Sequence, residues 1–157
     1  MKSNHKIRYL AVLIAIVFVA IIIIFNSFQK DIWDINADKL IKSFQVISGD
    51  ADIEDLSRFI PFEWDELYSF APYTSKKTIY ETIGYKWDRI SETVDESMNQ
   101  MVFVKDDKEV CYLYGYSNIY FDFGDYKGYF IKLTPSNNLY FKTKLSNNGV
   151  RYFKYIQ

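Results

Sequence analysis

The chain has 157 residues with 19 Lys/Arg against 20 Asp/Glu, a formal net charge of −1, so no basic excess points to nucleic acid. A single cysteine, Cys111, and a single histidine, His5, exclude an intramolecular disulfide, a Ser-His-Asp or Cys-His site in the body of the chain, and an ordinary structural zinc site. The 49% hydrophobic and 25% charged residues are ordinary for a globular protein, whereas the 19% aromatic share, carried by Tyr and Phe, is a departure.

Residues 1–8 form a short arm bearing Lys2, Lys6 and Arg8, and an uninterrupted apolar run follows from Tyr9 to Phe25. At about 1.5 Å per residue that run reaches roughly 26 Å, and continuing through Phe28 brings it near the ~30 Å of a bilayer's hydrocarbon. Residues 9–28 therefore read as a transmembrane helix, in contact with lipid on every side. Positive charge before the run, and Lys30 accompanied by Asp31 and Asp34 after it, place the N-terminus in the cytoplasm and residues 29–157 outside. A cleaved secretory signal is the alternative; no small-x-small site precedes Asn26, which favours a retained anchor. Cys111 lies too far downstream for N-terminal lipidation.

The remaining residues, 29–157, suffice for one domain. Asn36 to Gly49 reads as a helix, with Leu40, Ile41, Phe44 and Ile47 on one stripe and Gly49 as the stop. A second short helix or turn is expected over Asp52 to Ile60, ending at Pro61. Alternation from Trp64 to Phe70 marks a strand closed by Pro72. Thr74 or Ser75 then caps a helix containing Ile79 and Ile83, with Gly84 as its end.

From Met101 the pattern is β. Met101–Lys105 and Glu109–Tyr116 form a hairpin about Asp106–Lys108, and Tyr129–Thr134, Leu139–Leu145 and Val150–Ile156 follow, separated by Pro135–Asn138 and Ser146–Gly149. The expected fold class is α+β: an N-terminal transmembrane helix, then two or three helices packed on an antiparallel sheet of about five strands in a meander. Charge is unevenly spread. Lys30–Glu109 carries 10 Lys/Arg against 18 Asp/Glu, and Val110–Gln157 carries 6 against 2. The two parts are expected to complement each other within the fold; the alternative is an acidic surface that meets a basic partner.

Trp64-Asp65 through Tyr73-Thr74, and on to Gly84 and Trp87, resembles small uncharacterised membrane-anchored or lipid-attached extracytoplasmic proteins of Gram-positive bacteria. The resemblance covers about a quarter of the domain. It implies a bacterial, extracytoplasmic setting and no chemistry.

Carboxylates are the only acid/base groups left for an enzyme. Glu63, Asp65 and Glu66, or Asp95 and Glu96, would serve a small hydrolase if two of them faced each other across a groove. Asp106/Asp107 and Asp122/Asp125 lack the ligand spacing of a calcium loop, and Asp122-Phe123-Gly124 reads as a turn. Cys111, inside a strand, reads as a buried thiol. Tyrosines crowd the first hairpin and the loop after it, and exposed tyrosine faces stack on sugars or fill a partner's pockets, although tyrosine is also a good strand residue. Trp64, Tyr112, Tyr114 and Tyr116 are the candidate binding residues. The expected function is non-enzymatic binding in the cell envelope, with a lipid bilayer at residues 9–28, a protein or cell-wall partner, no nucleic acid, no cofactor and no metal. An immunity-like or inhibitor protein with an acidic surface, and a carboxylate hydrolase, are the alternatives.

Overall fold

The computed structural model describes residues 3–27, 30–126 and 128–156, with side chains of the first helix described for residues 8–21. The chain separates into two units, residues 1–31 and 32–157.

The first unit is one helix, α1 (Ser3–Ser27). Its described apolar side chains, from Tyr9 to Ile21, are exposed on every side, Tyr9 at 75% and Phe18 at 63%. Among the described residues no helix is long and apolar enough to cross a membrane, and this corrects the expected transmembrane helix over 9–28. Residues 1 and 2 of the expected arm, residue 28 at the end of the expected anchor and residue 29 at the start of the expected domain lie outside the described residues, as do the side chains of 3–7 and 22–27.

The second unit is α+β and corrects the single five-stranded meander: it contains two sheets of four strands. It opens with α2 (Ile32–Ser43), extended by a 3-10 turn at Phe44–Val46. The helix starts earlier than the sequence suggested because Asn36, expected as its cap, sits inside it. Strand β1 (Ala51–Ile53) and a 3-10 turn (Leu56–Phe59) occupy the region expected to be a second short helix or turn. Strand β2 (Glu66–Phe70) and α3 (Lys76–Ile83) come next. Strands β3 (Asn99–Lys105), β4 (Lys108–Gly115), β5 (Ile119–Asp122), β6 (Phe130–Leu133), β7 (Phe141–Leu145) and β8 (Arg151–Tyr155) complete it.

One sheet has the order β4-β3-β2-β6 and is antiparallel throughout; the other has the order β1-β7-β8-β5, with β5 and β8 parallel. Pairing across the sequence explains the split. β2, expected to precede a separate meander, is inserted between β3 and β6, and β8 is inserted between β7 and β5. The inner faces meet in one core, where Leu67, Met101, Phe103 and Leu113 of the first sheet join Phe121, Phe141 and Phe153 of the second, with Leu40 and Phe44.

The first sheet is also covered on its other face. Tyr68, Phe70, Val102, Val104 and Tyr112 pack there with Ile79 of α3 and Ile90 of the following loop. This double coverage is why β3 is buried at consecutive positions rather than alternate ones. The second sheet alternates instead: Phe141, Thr143, Arg151 and Phe153 point inward, while Lys142, Lys144, Tyr152 and Lys154 stay in solvent.

Local chemistry fixes several joints. Ser75 Oγ accepts the Thr78 N–H at 3.2 Å, and Gly84, at φ +89°, closes α3 in the left-handed region. Asp106 and Asp107 both have positive φ, 50° and 58°, and form the two-residue turn between β3 and β4. Register in that hairpin shifts at Phe103/Val104, so Cys111 and Glu109 become their partners and Val110 is the extra residue. The buried Asn36 amide donates to the Val110 carbonyl at 2.9 Å, which ties α2 to this bulge.

Candidate functional site

Three of the four sequence-predicted residues come together. β4 places Tyr112 and Tyr114 two residues apart on the outer face of its sheet, and their rings stack at 5.5 Å. Gly115, at φ +86°, ends the strand and delivers Tyr116 to the same groove. The groove holds about 320 Å³ and runs between β4 and α2, lined by Trp33, Asp34, Ala37, Asp38 and Ile41 on one side and the three tyrosines on the other, with Arg89 beside them.

The tyrosines differ in role. Tyr112 is 5% exposed and forms the floor. Its hydroxyl accepts from Ser91 N–H and from the Gln100 Nε2–H, both at 3.1 Å, and donates to the Ser91 carbonyl at 3.3 Å. Burial pushes its phenol up to about 12. Tyr114 is partly exposed and donates to the Glu92 carbonyl at 3.0 Å. Tyr116 is 67% exposed, a free ring at the mouth. Trp33 and Trp87 meet edge-on at 5.4 Å, and both meet Tyr112, at 6.3 and 5.3 Å. The result is a stiff aromatic wall whose indoles and phenols are held by one another.

Trp64, the fourth, does not join them. It is buried and packs edge-on against Phe103 at 5.7 Å, inside the core shared by the two sheets. Conversely, Trp33 was missed. Its signal was the continuation of the helical stripe backward from Leu40 through Ala37, which would have carried the helix to Ile32.

A second concavity, about 410 Å³, lies where β2 and β3 end, lined by Ser69, Asn99, Gln100, Tyr120 and Tyr126 together with Glu96, Asp122 and Asp125. Tyr126 and Ser69 share a hydrogen bond of 2.8 Å there, and burial pushes the Tyr126 phenol up to about 12. Asn99 spans the core above it, donating to the Ile119 carbonyl at 2.9 Å and accepting the Phe121 N–H at 3.1 Å.

The carboxylates weighed for catalysis are occupied elsewhere. Asp65 accepts the Asp106 N–H at 2.9 Å and lies 3.5 Å from Lys105; that backbone bond holds its carboxyl below the usual range. Glu63 is largely exposed and pairs with the same lysine at 3.4 Å. Glu66 is bound by Lys132 at 2.6 Å and by the Tyr68 hydroxyl at 2.5 Å, and these two partners, in that order, lower its pKa. Tyr68 is raised by burial and by Glu66, and Lys132 is raised by Glu66. The shifts keep Glu66 a carboxylate, Tyr68 an uncharged phenol and Lys132 an ammonium at neutral pH. Asp95 accepts the N–H of Ser97 at 2.8 Å and its hydroxyl, and is lowered by them; only its neighbour Glu96 faces a concavity.

Asp122 accepts the Gly124 N–H at 2.8 Å, so Asp122-Phe123-Gly124 is a turn. Among the described residues no group of three or more His, Cys, Asp or Glu side chains is arranged to hold a metal ion. Cys111 is buried, and burial raises its thiol. Comparison with protein-family models, with curated proteins and with solved structures finds no match to this chain.

Proposed function

We propose that the protein is a non-enzymatic binding protein of the bacterial cell envelope whose aromatic groove between α2 and β4 receives a protein partner. The observation that carries this reading is the convergence of Tyr112, Tyr114 and Tyr116 with Trp33 on one groove. Rigid aromatic side chains beside charged ones are the composition of energetic centres in protein interfaces. The carboxylates weighed for catalysis on β2 and beside it are engaged by neighbours, Glu66 by Lys132 and Tyr68 and Asp65 by Lys105 and the Asp106 N–H, which supports a binding role over carboxylate chemistry. The same reading takes the exposed apolar side chains of α1 to lipid, with the second unit outside the cytoplasm.

An inhibitor-like role against a basic partner is the second reading, favoured by Asp34 and Asp38 on the groove's α2 side. A wall-polymer ligand is the third, since tyrosine rings also stack on sugars.

A photo-crosslinking residue at position 116, compared with one at position 147 in a distant loop, tests the groove in living cells. A discrete protein adduct at 116 that disappears with Tyr114→Ala is expected. Equal adducts at both positions would sink the proposal, as would adducts only to glycan. Recovery of the full chain in a high-salt wash of membranes would remove the lipid part of the reading while leaving the groove intact.

A further inference from the structure

The basic excess of residues 110–157 was expected to be consumed by the acidic part of the chain. Lys132 does pair with Glu66. Lys142, Lys144 and Lys154, however, form no ion pair among the described residues. All three project from the solvent face of the β1-β7-β8-β5 sheet. Lys142 is directly opposite Lys154 in the β7/β8 register, about 5 Å apart at Cα. Lys144 lies two residues along β7, roughly 7 Å further. Like charges facing each other across strands disfavour the sheet, and the aspartates in register on their outer sides, Asp52 and Asp122, form no ion pair with either lysine.

We propose that this face docks a linear, phosphate-bearing polyanion running along the two central strands, its charges held by Lys142, Lys144 and Lys154. The distribution of acids selects a chain over a surface. Across one row the register reads Asp52, Lys142, Lys154, Asp122, so the lysines occupy the central strands β7 and β8 while the carboxylates occupy the edge strands β1 and β5. A planar anionic membrane would meet the edge carboxylates together with the lysines. A narrow chain laid along the centre meets only the lysines and the half-exposed Tyr152. Tyr152 packs its ring against Tyr120 at 5.6 Å and 60° rather than presenting a free stacking platform, which favours a polymer without bases over single-stranded nucleic acid. This surface is separate from the aromatic groove and does not depend on it.

The test uses the full chain in neutral-detergent micelles with fluorescent long-chain inorganic polyphosphate as the probe, read by anisotropy. Three phosphate contacts predict that affinity falls roughly 20-fold between about 50 and about 200 mM salt. In Lys142→Gln/Lys154→Gln the affinity at low salt falls at least about tenfold and the salt dependence flattens, whereas Lys77→Gln/Lys86→Gln on the opposite side of the sequence leaves both unchanged. Tryptophan fluorescence confirms that the double variant is folded. The proposal is overturned by absence of binding at low salt, by equal losses in the two double variants, by vesicles of phosphatidylglycerol binding through these lysines when polyphosphate does not, or by oligo(dT) binding more tightly than polyphosphate.

Discussion

Tyr112 and Ser91 exchange two hydrogen bonds: the phenolic oxygen accepts the Ser91 N–H at 3.1 Å and returns its proton to the Ser91 carbonyl at 3.3 Å. One side chain thereby satisfies both backbone groups of a loop residue and pins the segment after α3 onto the outer face of β4. Tyr112→Phe keeps the ring and its packing against Trp33 and Trp87 but leaves the Ser91 N–H and the Gln100 amide without this partner. A loss of about 1–3 kcal/mol in urea unfolding is expected, with little change in the groove's aromatic wall. An unchanged midpoint would show that the loop is held by its apolar packing alone.

Glu66 governs part of the acid limb of stability. Its folded pKa is lowered by Lys132 and Tyr68, so its contribution is fully present above the ordinary carboxylate value, about 4.3, and is lost as pH falls through the lower folded value. The pair is partly solvated, which limits the effect to about 1 kcal/mol or less. Glu66→Gln should therefore be slightly less stable than the parent near neutral pH and should converge with it only once the pH has fallen through the lowered folded pKa. A difference that grows on acidification would contradict this sign.

Cys111 should be silent in the folded protein. Its sulfur is buried and its thiol is raised by desolvation, so both access and thiolate character are withheld. A chromogenic disulfide reagent should label it only in urea, at a rate that follows global unfolding. Rapid stoichiometric labelling in native buffer would mean that the β3–β4 layer opens on its own.

Arg151 acts as an internal clamp rather than as an ion-pair partner. It is 8% exposed; Nη1 donates to the Gly49 carbonyl at 2.6 Å and to Thr143 Oγ1 at 3.3 Å, and Nη2 donates to the Ile47 carbonyl at 2.7 Å. Arg151→Ala removes the donor to the Ile47 and Gly49 carbonyls, which are only partly shielded from water, and a loss of about 1–3 kcal/mol is expected. Arg151→Lys recovers only part of it, because a point charge cannot serve two carbonyls through a planar fork. Thermal melts of the two variants should rank parent, Lys, Ala; equal melting points would remove the clamp.

Local chemistry made some of this legible in sequence, and long-range pairing hid the rest. The Ser75 cap, the Gly84 stop and the hairpin turn at Asp106 are set by residues a few positions away, so text alone locates them. The division into two sheets depends on β2 finding β6 and on β5 finding β8, partners about 30 to 60 residues distant whose choice leaves no local mark. The same distance effect separated the candidate residues. The crowding of tyrosines after Cys111 was visible, but the register that buries Tyr112 and exposes Tyr116 is set by the bulge at Val110 and by a helix arriving from residue 32. The stripe through Leu40 and Ala37 could place Trp33 on α2, but its wall partners, Trp87 and Tyr112, are distant in the chain and leave no local mark.

The parallel pairing of β5 with β8 has a consequence for how the molecule is made. β8 is the last strand among the described residues, yet it occupies an interior place in its sheet, between β7 and β5. During translation, β5 lacks its β8 partner until Arg151–Tyr155 emerges, and the inner aromatics Phe44 and Phe121 stay uncovered by Phe153 for the same interval. Nascent chains stalled before residue 151 should therefore be sticky and protease-sensitive. A chain cut there would lose the keystone of a sheet, not a dispensable tail.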